Sequence, residues 1–389
     1  MRAAQPRRRL RQALLNCALL AATMLLLAGF LEVALRLIFA RSLDFSMEMW
    51  KYAVSLKQPV PDPRLSFVHR PNSTAFLMGV QFSINSMGLR DREFPREKPP
   101  GVYRIVWLGD STTLGWGVPL SGTAPKILER ELNAAGHGRF EVLNAGVGNY
   151  NTVQEVEHYL TIDRSFHPDL VILEYFINDT EPVPRERTAG LLGRSYLAAF
   201  ALSRFDGALR VAGLRPRWRE YYASLYRDGS PGLEAAKDAL GRLAAVTAQD
   251  GTGLLLAILP ELHQINGAYP FEKEQRKIED YLASRQIRTI DLLSCLRGHG
   301  PETNLWITPA DAHPNVKANM LIAGCVSTAF LSRVDKKLTK SHTGGRRGNE
   351  RGAFNVDGFD EALRYRRVAT PDLVPRPWRR GRRYQQLRQ

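Results

Sequence analysis

A short apolar run that ends in a glycine turn constrains this chain more than any other segment. Residues 105–108 read Ile-Val-Trp-Leu, and Gly109-Asp110-Ser111 follows at once. Such a run predicts a buried strand. A tight turn after it would place Ser111 at the carboxyl edge of a sheet, where open α/β sheets bind ligands. We expect this serine to face solvent, and the next helix to begin near Thr123.

Strand and helix patterns alternate after this point. Strand patterns cover residues 103–108, 139–143, 169–175, 253–259 and, more weakly, 287–291, and helix patterns cover residues 123–135, 152–164, 232–249, 271–285 and 315–332. Strands rich in Val, Ile and Leu, each followed by a helix, are typical of a parallel sheet covered on both faces. The sequence therefore predicts an α/β fold with a central parallel sheet.

The amino terminus predicts a membrane-spanning helix. Residues 1–12 carry five arginines and no acidic residue, and residues 13–39 are mainly apolar, with Glu32 and Arg36 as their only charged side chains. About 20 apolar residues span a bilayer, and basic residues favour its cytoplasmic side. We expect a basic cytoplasmic tail, a single anchor at residues 13–39 in a bacterial inner membrane, and a periplasmic remainder. A cleaved signal peptide is the alternative.

The net charge of +15 resides in the two ends of the chain. Residues 1–12 contribute +5 and residues 336–389, with fifteen basic and five acidic side chains, contribute +10. A folded nucleic-acid-binding domain carries its own basic face, so nucleic acid is not an expected partner. Residues 335–389 are rich in Gly and Arg and lack apolar periodicity, which predicts a disordered basic tail.

Two further segments lie outside the strand–helix alternation. Residues 40–102 are expected to form a juxtamembrane region with short β elements, with strand character at residues 76–84 and a turn at residues 85–88. Residues 180–229 predict a helical insertion within the domain at residues 103–334, lying over the carboxyl edge of the sheet. Such an insertion is either a lid on a site or an addition without a role in function.

The sequence gives no reason to expect a metal or a cofactor. No pair of Cys or His residues has metal-ligand spacing. The stretch from Gly109 to Gly117 lacks the Gly-Lys-Ser/Thr ending of a phosphate loop. Cys295 and Cys325 lie in the exported part, where a disulfide is permitted, but the sequence leaves their pairing open.

Polar residues follow the predicted strands in an order that suits nucleophilic catalysis. The motifs are Ser111 after the first strand, residues 144–149 after the second, Asn178-Asp179 after the third, and Asp311-Ala312-His313 before the last helix. A serine nucleophile needs a base, an acid that orients the base, and donors for the oxyanion. The carboxyl ends of parallel strands meet at one edge, so these residues can converge.

This order of motifs resembles the SGNH hydrolases, also called the GDSL esterase/lipase family, over roughly residues 101–332. The resemblance implies an SGNH, flavodoxin-like three-layer sandwich and an esterase activity. It implies that Ser111 is the nucleophile, His313 the general base and Asp311 the residue that orients the imidazole. The oxyanion donors would be the Ser111 amide, the amide of Gly148 or Asn149, and the Asn178 side chain.

The chain departs from the family pattern at two positions. Phe176 stands where the family has the glycine of Gly-x-Asn-Asp, and Asp311-x-His313 is shorter than the frequent Asp-x-x-His. The short spacing, the anchor and the stretch from Asn85 to Arg90 look like alginate O-acetylation proteins and related exopolysaccharide-associated members.

The sequence therefore predicts a serine-dependent ester hydrolase or O-acyltransferase. It would act on acyl esters, chiefly acetyl esters, of a polysaccharide or on a small ester. A polysaccharide export complex or an acyl-donor complex is a candidate partner at the inner membrane. The alternative is a non-catalytic polysaccharide-binding or assembly protein with a degenerate site, which the two departures would favour.

Overall fold

A long apolar helix, α1 (Ala4–Ile38), precedes the folded part of the chain. The structure, a computed structural model, describes residues 4–136, 138–184 and 191–342. Over Arg8–Ile38, α1 is long and apolar enough to cross a membrane, a property that a signal sequence shares. Glu32 and Arg36 form an ion pair of 2.8 Å one turn apart.

Residues 45–91, here called the N-terminal segment, form one helix and two small hairpins. The elements are α2 (Phe45–Leu56), β1 (Lys57–Pro59), β2 (Phe67–His69), β3 (Thr74–Leu77) and β4 (Val80–Ser83). β1 pairs with β2 and β3 with β4, both antiparallel. The short β elements were predicted, but α2 was not. Asp44 starts this helix, because its carboxylate accepts a hydrogen bond from the amide of Met47 at 3.0 Å.

Five parallel strands form the central sheet. They are β5 (Val102–Gly109), β6 (Arg139–Gly146), β7 (Leu170–Tyr175), β8 (Gly253–Ile258) and β9 (Thr289–Asp291). Their spatial order is β6-β5-β7-β8-β9, the 2-1-3-4-5 order of flavodoxin-like sheets. The predicted fold class is confirmed, and β5 and β7 are almost wholly buried at its centre. The order in which successive strands are added reverses at β5, which has β6 on one side and β7 on the other, and such sheets bind ligands at this switch point.

Helices cover both faces of the sheet. They are α3 (Ser111–Leu114), α4 (Ala124–Ala134), α5 (Thr152–Thr161), α6 (Tyr196–Val211), α7 (Trp218–Leu225), α8 (Pro231–Gln249), α9 (Glu272–Ser284), α10 (Leu293–Leu296) and α11 (Val316–His342). α4 packs against α11, and α5 packs against α8. A last hairpin joins β10 (Trp306–Thr308) to β11 (Asp311–Pro314).

The helix predicted near Thr123 is present as α4, but the short helix α3, which begins at Ser111 itself, was not predicted. α11 continues to His342, ten residues beyond its predicted end at residue 332. Residues 335–342 are therefore helical, and the remainder of the predicted disordered tail lies outside the described residues.

The predicted insertion is helical, but its first helix does not lie over the sheet edge as expected. α6 packs along α1 and α2, with the rings of Phe39 and Phe200 5.7 Å apart and those of Trp50 and Tyr196 4.8 Å apart. The amides that open a helix lack partners within the helix. Glu32 on α1 accepts hydrogen bonds from two of these amides in α6, at 3.0 and 2.9 Å. Residues 185–190 of the insertion lie outside the described residues.

A disulfide joins Cys295 and Cys325, which the sequence left open. It links α10 to α11 across 30 residues of chain. β11, which carries two of the candidate catalytic residues, lies between these two helices in sequence.

Candidate active site

Ser111 opens α3 directly after β5. The Asp110 carboxylate caps this helix by accepting hydrogen bonds from the amide and the hydroxyl of Thr112, both at 2.8 Å. α3 packs directly on the ends of the strands, and a Cβ on Gly146 would lie 2.2 Å from the amide nitrogen of Leu114. Glycine is therefore required at Gly146 for α3 to hold Ser111 in this place.

Three candidate residues form a hydrogen-bonded series. Ser111 Oγ lies 2.9 Å from His313 Nε2, and His313 Nδ1 lies 2.6 Å from Asp311 Oδ1. Asp311 and His313 both belong to β11, and alternate residues of a strand share a face. The short Asp-x-His spacing therefore brings carboxylate and imidazole together on a strand.

Two aromatic residues that the sequence did not identify complete this arrangement. Trp116 Nε1 donates to the second oxygen of Asp311 at 3.2 Å, and the ring of Phe45 stacks on His313 at 5.5 Å. The signal that the sequence offered for Trp116 was its position between two glycines, Gly115 and Gly117. Both glycines have positive φ in the structure. Phe45 belongs to α2 and gave no signal.

Ser111 is 6% exposed, so the expectation that it faces solvent was wrong. His313 lies across its hydroxyl, and Phe45 in turn stacks on His313.

The electrostatics favour an ionised Asp311. Burial opposes its ionisation, but the hydrogen bonds and electrostatic attraction of His313 outweigh burial and hold the pKa of Asp311 below its usual value. A carboxylate in this position orients the imidazole and stabilises an imidazolium.

The candidate oxyanion donors differ in their availability. The amide of Gly148 donates to the hydroxyl of Tyr52 at 2.8 Å, so in this conformation it is not free for an oxyanion. Asn149 has φ 65°, a backbone conformation that favours glycine, so it occupies the glycine-like position of this loop. Within the described residues, neither the amide of Ser111 nor that of Asn149 donates to a protein acceptor.

Asn178 points its amide group at the nucleophile turn. Its Nδ2 donates to Asp110 at 2.8 Å, and a carboxamide nitrogen carries two hydrogens, so one remains available. Asp179 closes the turn that contains Phe176: its carboxylate accepts from the Phe176 amide at 3.1 Å. Asp110 and Asp179 thus act as cap and turn residues.

Buried acids lie behind the nucleophile helix. Thr112 Oγ1, whose hydroxyl hydrogen is engaged by Asp110, lies 2.5 Å from a carboxyl oxygen of Glu174 on β7. Burial, together with the charge of Asp110, raises the pKa of Glu174 to about 7. Burial also raises the pKa of Glu155 and of Asp179 well above the usual range. Within the described ranges no group of three His, Cys, Asp or Glu side chains is arranged to hold a metal.

The N-terminal segment holds the site from outside the sheet. The buried guanidinium of Arg90 donates to three carbonyl oxygens at the end of α3 and beyond, those of Leu114, Gly115 and Val118, at 2.6–2.7 Å. The neighbouring carboxylate of Asp91 accepts from the amide of Asn144 on β6 at 2.9 Å. The stretch from Asn85 to Arg90 was noticed in the sequence, but its contacts were not predicted.

A family model described as the GDSL-like Lipase/Acylhydrolase family matches residues 107–321, more than half of the chain. The chain belongs to the GDSL-like lipase/acylhydrolase family. Membership implies esterase activity, and the match includes Ser111, Asn178 and His313. A search of curated proteins finds no match.

Several solved structures are similar to this GDSL-like chain. The lipase/acylhydrolase from Enterococcus faecalis has 15% identity and a TM-score of 0.38, covering 59% of this chain and 96% of its own. A lipolytic G-D-S-L family member from Veillonella parvula DSM 2008 has 13% identity and a TM-score of 0.36, covering 59% and 98%. A two-domain esterase active on acetylated mannans has 15% identity and a TM-score of 0.38, covering 64% and 53%.

Proposed function

We propose that this chain is a serine-dependent ester hydrolase or O-acyltransferase of SGNH type. Its substrates would be acyl esters, chiefly acetyl esters, of an extracytoplasmic polysaccharide. The observation that carries the proposal is the series Ser111 Oγ, His313 Nε2 and His313 Nδ1, Asp311 Oδ1, at 2.9 and 2.6 Å. A hydroxyl within hydrogen-bond reach of an imidazole that a carboxylate orients is the arrangement that activates a serine.

In the first half-reaction, Ser111 Oγ attacks the ester carbonyl carbon and its proton passes to His313 Nε2. The oxyanion accepts hydrogen bonds from the amides of Ser111 and Asn149 and from the free Nδ2 hydrogen of Asn178. The adduct then breaks its bond to the alcohol oxygen, which takes the proton from His313. The acyl group is left on Ser111. Each oxyanion donor is worth about 10²–10³ in rate.

In the second half-reaction, an acceptor hydroxyl gives its proton to His313 and attacks the acyl group on Ser111. Water as acceptor gives hydrolysis, and a sugar hydroxyl gives O-acyl transfer. The same residues serve both reactions, and a transferase would take its acyl group from a partner in an export or acyl-donor complex. Ser111 is returned with its proton from His313.

We infer that α1 stays attached as a single anchor and that the folded part is periplasmic. Five arginines precede the apolar helix, which favours a cytoplasmic amino terminus. Glu32 accepts hydrogen bonds from the first amides of α6, so removal of α1 would take away the acceptor that caps α6. The organisation we propose is an anchor at residues 13–39, a region at 40–102 that supports the site, and a catalytic domain at 103–334.

A non-catalytic polysaccharide-binding protein remains the second candidate. The observation that favours it is that the amide of Gly148 and one Asn178 hydrogen are already engaged, by Tyr52 and Asp110. This second candidate predicts that Ser111→Ala leaves polysaccharide binding intact.

Hydrolysis of p-nitrophenyl acetate by the full chain in detergent, with Ser111→Ala alongside, tests the proposal. We expect turnover that falls by at least about 10³-fold in the variant, since removing the nucleophile leaves only the residual contribution of binding and oxyanion donors. Equal rates for the two proteins would overturn the esterase proposal and favour the binding protein.

A further inference from the structure

A cavity of about 460 Å³ lies beside the candidate active site. It is open between α2 on one side and the loops that follow β6 and β7 on the other. Two of its lining residues also belong to the site: Phe45 stacks on His313, and Asn149 is a candidate oxyanion residue. We call this cavity the α2 pocket. It lies next to the position that a bound ester would occupy.

The pocket is far larger than an acetyl group. Its volume equals that of about fifteen waters at ~30 Å³ each. It falls within the range of cavities that bind whole small molecules. A further part of the substrate can therefore enter it, either a long acyl chain or the alcohol that carries the acyl group.

The lining distinguishes these two possibilities. Aromatic rings form its walls, including Trp50 and Phe67, and polar side chains lie among them: Lys57, whose Nζ donates to Asn149 Oδ1 at 3.1 Å, and Glu181. An alkyl chain would displace water from this polar lining and offers it no hydrogen bond in return, which is unfavourable. A sugar ring has apolar C–H faces for the aromatic walls and hydroxyl groups for the polar side chains.

We propose that the α2 pocket binds the sugar ring that carries the acyl ester, on the alcohol side of the bond that breaks. The proposal rests on the proposed esterase function and extends it by naming where the alcohol part of the substrate binds. It assigns substrate selection to α2, which lies outside the family match at residues 107–321.

The test fills the pocket with a larger side chain and compares three kinds of substrate. Ala53 on α2 lines the pocket, and Ala53→Phe would place a ring inside it. Val54, the next residue, is half-buried and does not line the pocket, so Val54→Phe is the matched control. The full chain in detergent is assayed with p-nitrophenyl acetate, p-nitrophenyl octanoate and peracetylated methyl glycosides of glucose, mannose and galactose. Thermal melting checks that both variants fold.

We expect Ala53→Phe to lower the ratio of kcat/KM for a glycoside acetate to that for p-nitrophenyl acetate by tenfold or more, mainly through KM. Val54→Phe should leave this ratio within twofold of the original chain. A selective loss on the octanoate instead would make the pocket an acyl site and overturn the proposal. An unchanged ratio in Ala53→Phe would overturn the proposal for the pocket while the esterase function stands. The same conclusion would follow if the original chain cleaved p-nitrophenyl acetate but no glycoside acetate. Absence of p-nitrophenyl acetate turnover would overturn the esterase function itself.

Discussion

The central sheet and the N-terminal segment both support the candidate site, but they do so by different means. The sheet presents residues at the ends of consecutive strands, so Ser111 and Asn178 follow directly from β5 and β7. The N-terminal segment reaches the same site through long-range contacts, such as Tyr52 to Gly148, 96 residues apart. The sheet therefore carries Ser111 and Asn178, and the N-terminal segment holds the backbone around them, whereas Asp311 and His313 come from the separate β10–β11 hairpin.

The difference lies in the groups that each region contacts. Arg90 donates to main-chain carbonyls around α3, and Tyr52 accepts from a main-chain amide. Contacts of this kind depend on the shape of the loops and not on the identity of their side chains. Substitutions in the N-terminal segment should consequently change both stability and catalysis although none of its residues is proposed to react.

The largest effect is expected from Arg90→Ala. The substitution leaves three buried carbonyls without their donor, and hydrogen bonds to a charged group contribute about 1.5–3 kcal/mol each. We expect a loss of at least about 3 kcal/mol in the free energy of unfolding. The kcat for p-nitrophenyl acetate should fall about tenfold with little change in KM, because the end of the helix that begins at Ser111 is released. Urea unfolding and steady-state kinetics measure the two effects.

Arg92→Ala is the matched control for Arg90. Its side chain is 46% exposed and pairs with Glu129 at 2.6 Å, and exposed ion pairs contribute about 0–1 kcal/mol. Arg90→Lys keeps the charge but cannot bond all three carbonyls, so it should restore only part of the stability. If Arg90→Ala unfolds more easily but keeps its kcat, the three hydrogen bonds of Arg90 stabilise the fold without positioning Ser111.

A second prediction concerns the sheet and its dependence on pH. Burial raises the pKa of Glu174 to about 7 from 4.5, so the folded chain holds this proton more tightly than the unfolded chain does. The stabilisation that the folded chain gains from binding this proton is complete below about pH 4.5 and is lost as the pH rises through about 7. Glu174→Gln should therefore be about as stable as the original chain at pH 5. At pH 8 it should be more stable by up to about 3 kcal/mol.

Unfolding in urea at pH 5 and pH 8 measures this difference. Burial lowers the pKa of Arg90 to about 9, so its guanidinium stays charged between these pH values. The cost of Arg90→Ala should accordingly be similar at pH 5 and pH 8, which makes that variant the control. A benefit of Glu174→Gln that is equal at both pH values would contradict the raised pKa.

The sequence was sufficient to predict what the sheet supplies. Strand patterns identified all five parallel strands, and their carboxyl ends located Ser111 and Asn178. The sequence also predicted that Ser111 and His313, 202 residues apart, come together, but His313 lies on the separate β10–β11 hairpin and not at the end of a strand of the central sheet.

The contacts of the N-terminal segment could not be predicted in the same way. α2 is a short helix whose partners lie far away in the chain, and no local pattern encodes that Phe45 stacks on His313. For the same reason the burial of Ser111 was missed. The sequence also left Gly148 and Asn149 as alternatives, because only the hydroxyl of Tyr52 distinguishes their amides.

The smallest effect is expected from Tyr52→Phe, which tests that distinction. The Tyr52 hydroxyl accepts from the amide of Gly148 at 2.8 Å and lies 2.6 Å from His69 Nε2, so its removal leaves two buried groups without a partner. We expect a loss of about 2 kcal/mol in the free energy of unfolding. The kcat for p-nitrophenyl acetate should change by less than tenfold, because the proposed donor is the amide of Asn149. Urea unfolding and the same kinetic assay measure both.

Tyr150→Phe is the control for Tyr52→Phe. Tyr150 is as deeply buried as Tyr52 and lies two residues from Gly148, but its hydroxyl donates to the carbonyl of Phe67 at 2.5 Å. It should lose similar stability with no effect on the Gly148 amide. A rise in kcat confined to Tyr52→Phe would mean that the released Gly148 amide reaches the oxyanion. In that case the N-terminal segment would hold back a donor that the sheet offers, and the two regions would oppose each other at the site.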